Sequence, residues 1–452
     1  MIKSMDDYRP VVGDETVGDI YRKARGLQGM RIQHINSTFQ GGGVAEILNS
    51  LVPLMNDIGI DADWRVLHGT PDFFTVTKKF HNALQGGSLN LSDLKKQLYL
   101  QTNATFCACS HLEADCVIVH DPQPLPLIRF HKKKVPWIWR CHIDLSNPHE
   151  ELWEFLKTFI LRYDVDIISS EVYRKNDLPV QQRIISPAID PLSLKNKELS
   201  QKDVAKYMRK YKIPTDKPLI TQVSRMDVWK DPEGLLEVFK RVRENVDCRL
   251  VYCYDSASDD PEGAAVYKRT YHKARKLVES GDVIFVVGSS QILVNAIQRA
   301  STVIVQKSTK EGFCLAVTEA LWKGKPVVGT NVGGIPLQIT DGENGFLVDP
   351  YDKETFADRI VRLLRNPRMA EQMGMIGKET VRNNFLITRL LRDYLVLLND
   401  VLLKRKSDLF YTMPNTALHQ LANVPDILST GMKASNVEVA RKVPPLALES
   451  RE

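Results

Sequence analysis

Met30-Arg31-Ile32-Gln33-His34-Ile35-Asn36-Ser37-Thr38-Phe39-Gln40-Gly41-Gly42-Gly43-Val44-Ala45-Glu46 decides the fold. A short apolar run, Met30–Ile35, leads through a polar, glycine-rich turn into an amphipathic stretch, Val44–Ile58. Strand, turn and helix in that order make one βα unit. Gly41, Gly42 and Gly43 let the backbone turn sharply and come close to a ligand. The spacing is not Gly-x-Gly-x-x-Gly, which disfavours a nicotinamide cofactor. A plain strand-to-helix turn has the same composition, so the loop alone leaves both readings open.

Working outward, apolar runs and helical stretches keep alternating. Strands are predicted at Met30–Ile35, Trp64–Leu67, Cys116–His120, Trp137–Cys141 and Val165–Ser169, with helices at Val44–Ile58, Leu91–Gln101 and Glu150–Leu161. Ser186-Pro187-Ala188-Ile189-Asp190-Pro191 then breaks the pattern with two prolines, as a linker would. The alternation restarts, with strands predicted at Leu219–Val223, Arg249–Tyr254, Val283–Val287, Thr302–Val305, Pro326–Val328 and Gly345–Val348. The matching helices are Pro232–Asn245, Gly263–Glu279, Gln291–Arg299, Ala316–Lys323, Lys353–Asn366 and the apolar Ile387–Lys404. The fold class is α/β: two Rossmann-like, doubly wound domains facing a cleft. We divide the chain into 1–186, a linker 187–199, a second domain 200–404 and a loosely ordered tail 405–452.

The 452 residues exceed one ordinary core, and 43% hydrophobic with 26% charged residues describe a globular protein. A net charge of +6 without long Lys/Arg runs argues against a dedicated nucleic-acid partner. No apolar stretch is long enough for a membrane span, and MIKSMDDYRP lacks a signal-peptide core. Seven cysteines without paired Cys-x-x-Cys spacing read as buried thiols of a cytoplasmic protein; no metal is implied.

Three stretches carry candidate chemistry. Glu311 and Glu319 lie eight positions apart, which lets both look along one helix face, with Gly312 and Phe313 turning into that helix. A helix start attracts an anion, and carboxylates accept sugar or ribose hydroxyls. An amphipathic helix with two surface acids has the same spacing. Arg225 and Lys230 follow the first strand of the second half, at the ligand-binding end of such a sheet. Together they suit a diphosphate, and solvated surface charge is the alternative. His142 ends the apolar run of Trp139-Arg140-Cys141-His142-Ile143-Asp144, where it suits a substrate hydroxyl or a backbone partner. Asp144 suits a sugar hydroxyl or, better by spacing, a helix cap. His120, before Asp121-Pro122, reads as structural.

Arg225-x4-Lys230 followed by Glu311-x7-Glu319, with the glycine loop and His142, resembles the donor site of retaining glycosyltransferases of the GT-B fold. Closer still is the likeness to archaeal and bacterial trehalose glycosyltransferring synthases. It rests on Gly41–Leu48, Phe80–Gly86, His120–Pro124, Trp137–Ser146 and Asp259–Gly263, within a match over roughly residues 5 to 400.

The resemblance implies transfer of glucose from a nucleoside diphosphate glucose to free glucose, giving α,α-trehalose, with no tightly bound cofactor. It implies that Arg225 and Lys230 bind the diphosphate, Glu319 the ribose and Glu311 the glucose hydroxyls. Backbone amides of Gly312, Phe313, Cys314 and Leu315 would line the sugar, and His142 would touch its primary hydroxyl. The Gly41–Gly43 loop would close over phosphates and acceptor, with Asn36, Ser37 and Asp144 on the acceptor side. Homodimerisation follows from the resemblance alone. Two positions depart from the family: Cys314 and Asp231 stand where glycine is usual. They place a thiol beside the sugar and an extra carboxylate near the diphosphate. The tail after Lys404 is also longer than the family's. Rival readings are a trehalose phosphorylase, a sugar-nucleotide epimerase and a non-enzymatic two-lobed sugar-binding protein.

Overall fold

The computed structural model describes residues 3–39, 42–110, 112–255, 261–288 and 290–411. Among the described residues, twelve strands form two six-stranded sheets, each parallel throughout. The first holds β1 (Arg31–Asn36), β2 (Asp61–Val66), β3 (Cys116–His120), β4 (Trp137–Arg140), β5 (Val165–Ile168) and β6 (Gln181–Ile184), in the order β2-β1-β3-β4-β5-β6. The second holds β7 (Leu219–Arg225), β8 (Arg249–Asp255), β9 (Val283–Val287), β10 (Val303–Gln306), β11 (Val327–Thr330) and β12 (Gly345–Val348), in the order β12-β11-β10-β7-β8-β9. Strand order reverses between β1 and β3 in one sheet and between β7 and β10 in the other. Beyond the carboxyl ends of those strands lies the usual ligand crevice.

Helices on both faces explain why the central strands read as unbroken apolar runs. In β3 every residue is buried. Ile118 faces a core shared with helix Gly43–Asp57, while Val117 and Val119 face another completed by helices Pro71–Leu84 and Glu150–Ile160. The helix Ile387–Tyr411 returns to the first sheet: its Leu390, Leu391 and Tyr394 sit in one core with Ile32, Ile118 and Ile138.

Several sequence expectations need correction. Helices Arg9–Ala24, Pro71–Leu84, Gln201–Lys210 and Pro367–Asn384, and strand β6, were not anticipated. Strand β2 begins earlier than Trp64, and the last helix runs past Lys404. The proline-rich stretch expected as a linker is tied to its surroundings. Ile189 forms a parallel bridge with Leu386, and the buried Asp190 accepts hydrogen bonds from Lys3, from Tyr8 at 3.0 Å and from Ser50 at 2.9 Å. Residues 412–452, most of the expected tail, lie outside the described residues.

Candidate active site

The end of β7 delivers the first cation. Arg225 closes that strand, and Lys230 closes the single 3-10 turn Val228–Lys230 behind it. Between them the buried Asp227 accepts from Arg225 at 3.2 Å and from Lys78 at 3.4 Å. Lys78 belongs to helix Pro71–Leu84 of the first sheet's layer, so Asp227 joins the two halves. Burial pushes the Asp227 carboxyl up, but Arg225, Lys78 and Lys230 outweigh it and hold it below the ordinary value. His81, one turn beyond Lys78, sits among the same cations; burial and then Arg225 push it down to about 3, so the ring is neutral. Arg225 keeps 44% of its side chain accessible, leaving a guanidinium edge for a ligand.

Lys230 is mostly buried and salt-bridged to Glu311, which also accepts from Ser308 at 3.2 Å. Glu311 precedes the helix rather than lying on it: the helix is Leu315–Trp322, so the two acids do not share a helical face. Its N-cap is Cys314, in the left-handed region at φ 76°, and no side chain caps it. The first amides therefore remain available to an anion. Helix Gly43–Asp57 also starts without a side-chain cap, at Gly42. These two helix starts meet: a Cβ added to Gly43 would lie 2.8 Å from Leu315 Cδ1. Gly41 lies outside the described residues.

Glu319 is 1% exposed and stands on the helix proper. Lys195, from the linker, lies 3.1 Å from its Oε1 and 2.8 Å from Glu46 Oε1 on helix Gly43–Asp57. Lys195 is its ion-pair partner, and among the described residues neither Glu319 oxygen has a well-directed hydrogen bond. A buried carboxylate held by an ion pair alone suits a ligand carrying hydroxyl donors.

His142 follows β4 and faces the turn after Glu311. A Cβ on Gly312 would fall 2.3 Å from the His142 carbonyl oxygen, so only glycine lets these backbones pass. Tyr173 reaches across as well, its hydroxyl 2.9 Å from the Glu311 carbonyl and 2.8 Å from that of Gly312. The His142 amide donates to Asp121 Oδ1 at 2.8 Å, and its ring meets His120 at 3.1 Å. His120 is therefore part of the site's support, which its position at the end of β3 had concealed.

Other expected residues behave differently. Asp144 caps no helix: its Oδ1 accepts from the Ser146 amide at 2.8 Å, and helix Glu150–Ile160 starts after His149 without a side-chain cap. Asn36 uses both ends of its amide on Ser37 and Thr38 of its own loop; Ser37 is buried beside it. The Phe313 ring turns into a core against Phe385, leaving its backbone at the site. Asp231 caps Gly234 at 2.9 Å and pairs with the buried Lys307. It too is left-handed, at φ 43°. Both departures from glycine thus fall where the backbone itself favours glycine.

Comparison with known proteins gives the family and the fold. The profile "Glycosyl transferases group 1" matches residues 203–380, and "Trehalose synthase, N-terminal domain" matches residues 34–175. A solved Escherichia coli structure, "Trehalose-6-phosphate from E. coli bound with UDP-2-fluoro glucose", shares the fold at a TM-score of 0.66 and 14% identity, over 81% of this chain and 98% of that one. Fold and site together define a glycosyltransferase of the two-lobed GT-B class. Trehalose synthase from Pyrococcus horikoshii is 45% identical over 403 residues, 88% of this chain and 97% of that protein. Trehalose phosphorylase from Pleurotus pulmonarius is 28% identical, over 84% of this chain and 59% of the phosphorylase. The chain belongs to the trehalose synthase family.

Among the described residues, no helix is long and apolar enough to cross a membrane.

Proposed function

We propose that this enzyme moves glucose from a nucleoside diphosphate glucose onto free glucose, with retention, to form α,α-trehalose. The carrying observation is the buried carboxylate of Glu319, ion-paired to Lys195 but without a well-directed hydrogen bond among the described residues, beside two uncapped helix starts and the accessible Arg225. A ribose diol supplies the O–H donors Glu319 lacks, and a diphosphate suits the amides, Arg225 and Lys230. In this reading Lys195 yields Glu319 to the ribose and stays with Glu46. Glu311, steadied by Lys230 and Ser308, aligns the glucose hydroxyls.

Retention by double displacement needs a carboxylate nucleophile paired with an acid. Glu311 is already engaged by Lys230. We therefore favour same-face transfer, in which the departing phosphate oxygen takes the proton of the incoming hydroxyl. The protein then works by positioning and charge stabilisation. Residues 1–186 hold the acceptor side and 200–404 the donor side. The enzyme acts in the cytoplasm as a homodimer without a resident cofactor or metal.

The test is incubation with ADP-, UDP- or GDP-glucose plus glucose, with and without inorganic phosphate. Trehalose and free nucleoside diphosphate should appear together without phosphate. Turnover only with phosphate would replace this reading with phosphorolysis. Arg225→Ala should slow transfer by about two orders of magnitude, as loss of an electrostatic clamp does. Near-normal turnover in that variant would remove Arg225 from the site.

A further inference from the structure

Three imidazoles run inward from the cleft in single file. His142 Nε2 lies 3.1 Å from His120 Nδ1, and His120 Nε2 lies 3.0 Å from His34 Nδ1. The rings stack at centroid separations of 5.4 and 5.3 Å. His34 and His120 are buried, whereas His142 is half-buried at the cleft. They do not converge on a point: among the described residues, no group of three or more His, Cys, Asp or Glu side chains could hold a metal ion. At the inner end, His34 Nε2 is buried without a hydrogen-bond partner among the described residues. At the outer end, His142 Nδ1 makes no hydrogen bond among the described residues and is not among the sealed-off atoms.

Burial holds all three rings neutral at physiological pH, His34 falling to about 4; Arg140 beside them adds to the effect on His120 and His142. Three neutral rings carry three N–H protons, and the two links use two. The third sits at one end. If every ring donates inward, it falls on His34 Nε2, a buried N–H with nothing to receive it. If every ring donates outward, it falls on His142 Nδ1, and His34 keeps only an idle lone pair. An orphaned buried N–H is the rarer of the two faults in folded proteins.

We propose that His34 and His120 are positioning residues that fix the proton of His142 on Nδ1, so that His142 enters the cleft as a hydrogen-bond donor to a sugar oxygen. His34 Nδ1–H donates to His120 Nε2, and His120 Nδ1–H donates to His142 Nε2. The reacting sugar then meets one tautomer rather than a mixture. The effect on transfer rests on the proposed reaction; the tautomer does not.

The experiment is ¹⁵N-histidine NMR of the full chain without substrate. His142 should be protonated at Nδ1 and bare at Nε2; the opposite assignment overturns the proposal. His34→Glu replaces the innermost donor with a carboxylate that accepts instead. It should draw the His120 proton to Nε2, move the His142 proton to Nε2 and lower kcat/KM for the donor about tenfold, the equivalent of one net hydrogen bond. His34→Phe, which offers His120 Nε2 no acceptor, should leave the His142 proton on Nδ1. An unchanged His142 tautomer in His34→Glu overturns the relay. Should that variant not fold, the wild-type spectrum decides. If no donor is turned over at all, the proposed reaction fails while the tautomer is still read directly.

Discussion

Replacing Asp231 with glycine brings the chain back to the residue its family usually carries, and it should damage this protein. Asp231 caps helix Pro232–Arg243 through the Gly234 amide, and losing such a cap costs about 1 kcal/mol. Its carboxylate is also the ionic partner of Lys307, whose side chain is 1% exposed and whose other acceptor is the Pro350 carbonyl at 3.0 Å. Stripping the partner from a buried charge costs about 3–5 kcal/mol, and the low end applies because the Asp231 side chain is 26% exposed. Glycine recovers about 1 kcal/mol by adopting φ 43° without strain. The net expectation is a loss of about 3 kcal/mol. Urea unfolding followed by tryptophan fluorescence reads it as a lower midpoint. Lys307→Met in the same chain should restore most of the loss, because the orphaned cation is gone. Donor KM should stay unchanged, since the carboxylate faces Lys307. Asp231→Gly equal to or firmer than the wild type would refute the pairing argument.

Two further outcomes follow from the same kind of reasoning. Cys314 is left-handed at φ 76°, so Cys314→Gly should hold stability within about 1 kcal/mol, whereas the β-branched Cys314→Val should lose about 2 kcal/mol or more, as thermal unfolding will show. His34 has a folded-state value near 4 against 6.5 when unfolded, so its contribution is intact above pH 6.5 and drains away as pH falls. The slope is about 1.4 kcal/mol per pH unit, and urea midpoints between pH 7.5 and 5 should fall accordingly, less steeply in His34→Gln. A flat series would show that His34 does not bury a neutral ring.

The architecture was legible because parallel strands covered on both faces leave dense apolar signatures, as in Cys116–His120 and Trp137–Arg140. β6 left none: Gln181–Ile184 is a half-exposed edge strand of mostly polar residues. Helix Pro71–Leu84 did carry signals, Thr70 as a capping residue and Pro71 at the first position, and they went unread. At the candidate site, Arg225, Lys230 and Glu311 were picked out by the resemblance of their combined spacing to a glycosyltransferase donor site, since surface charge accounts for each of them alone. Their company was not. Lys78, His81 and Lys195 reach the cleft from distant segments, and a single sequence holds no record of which side chains meet across a gap. The positive φ of Cys314 and Asp231 was half visible: a family glycine replaced by another residue marks a backbone that glycine had suited.

The final helix has a consequence for how the molecule is made. Ile32, Ile118 and Ile138 share their core with Leu390, Leu391, Tyr394 and Leu398, about 250 or more residues downstream. A nascent chain emerging from the ribosome presents that first sheet long before its cover is synthesised. The opening half is therefore finished last, and a fragment ending at the linker would show water an apolar wall instead of a surface.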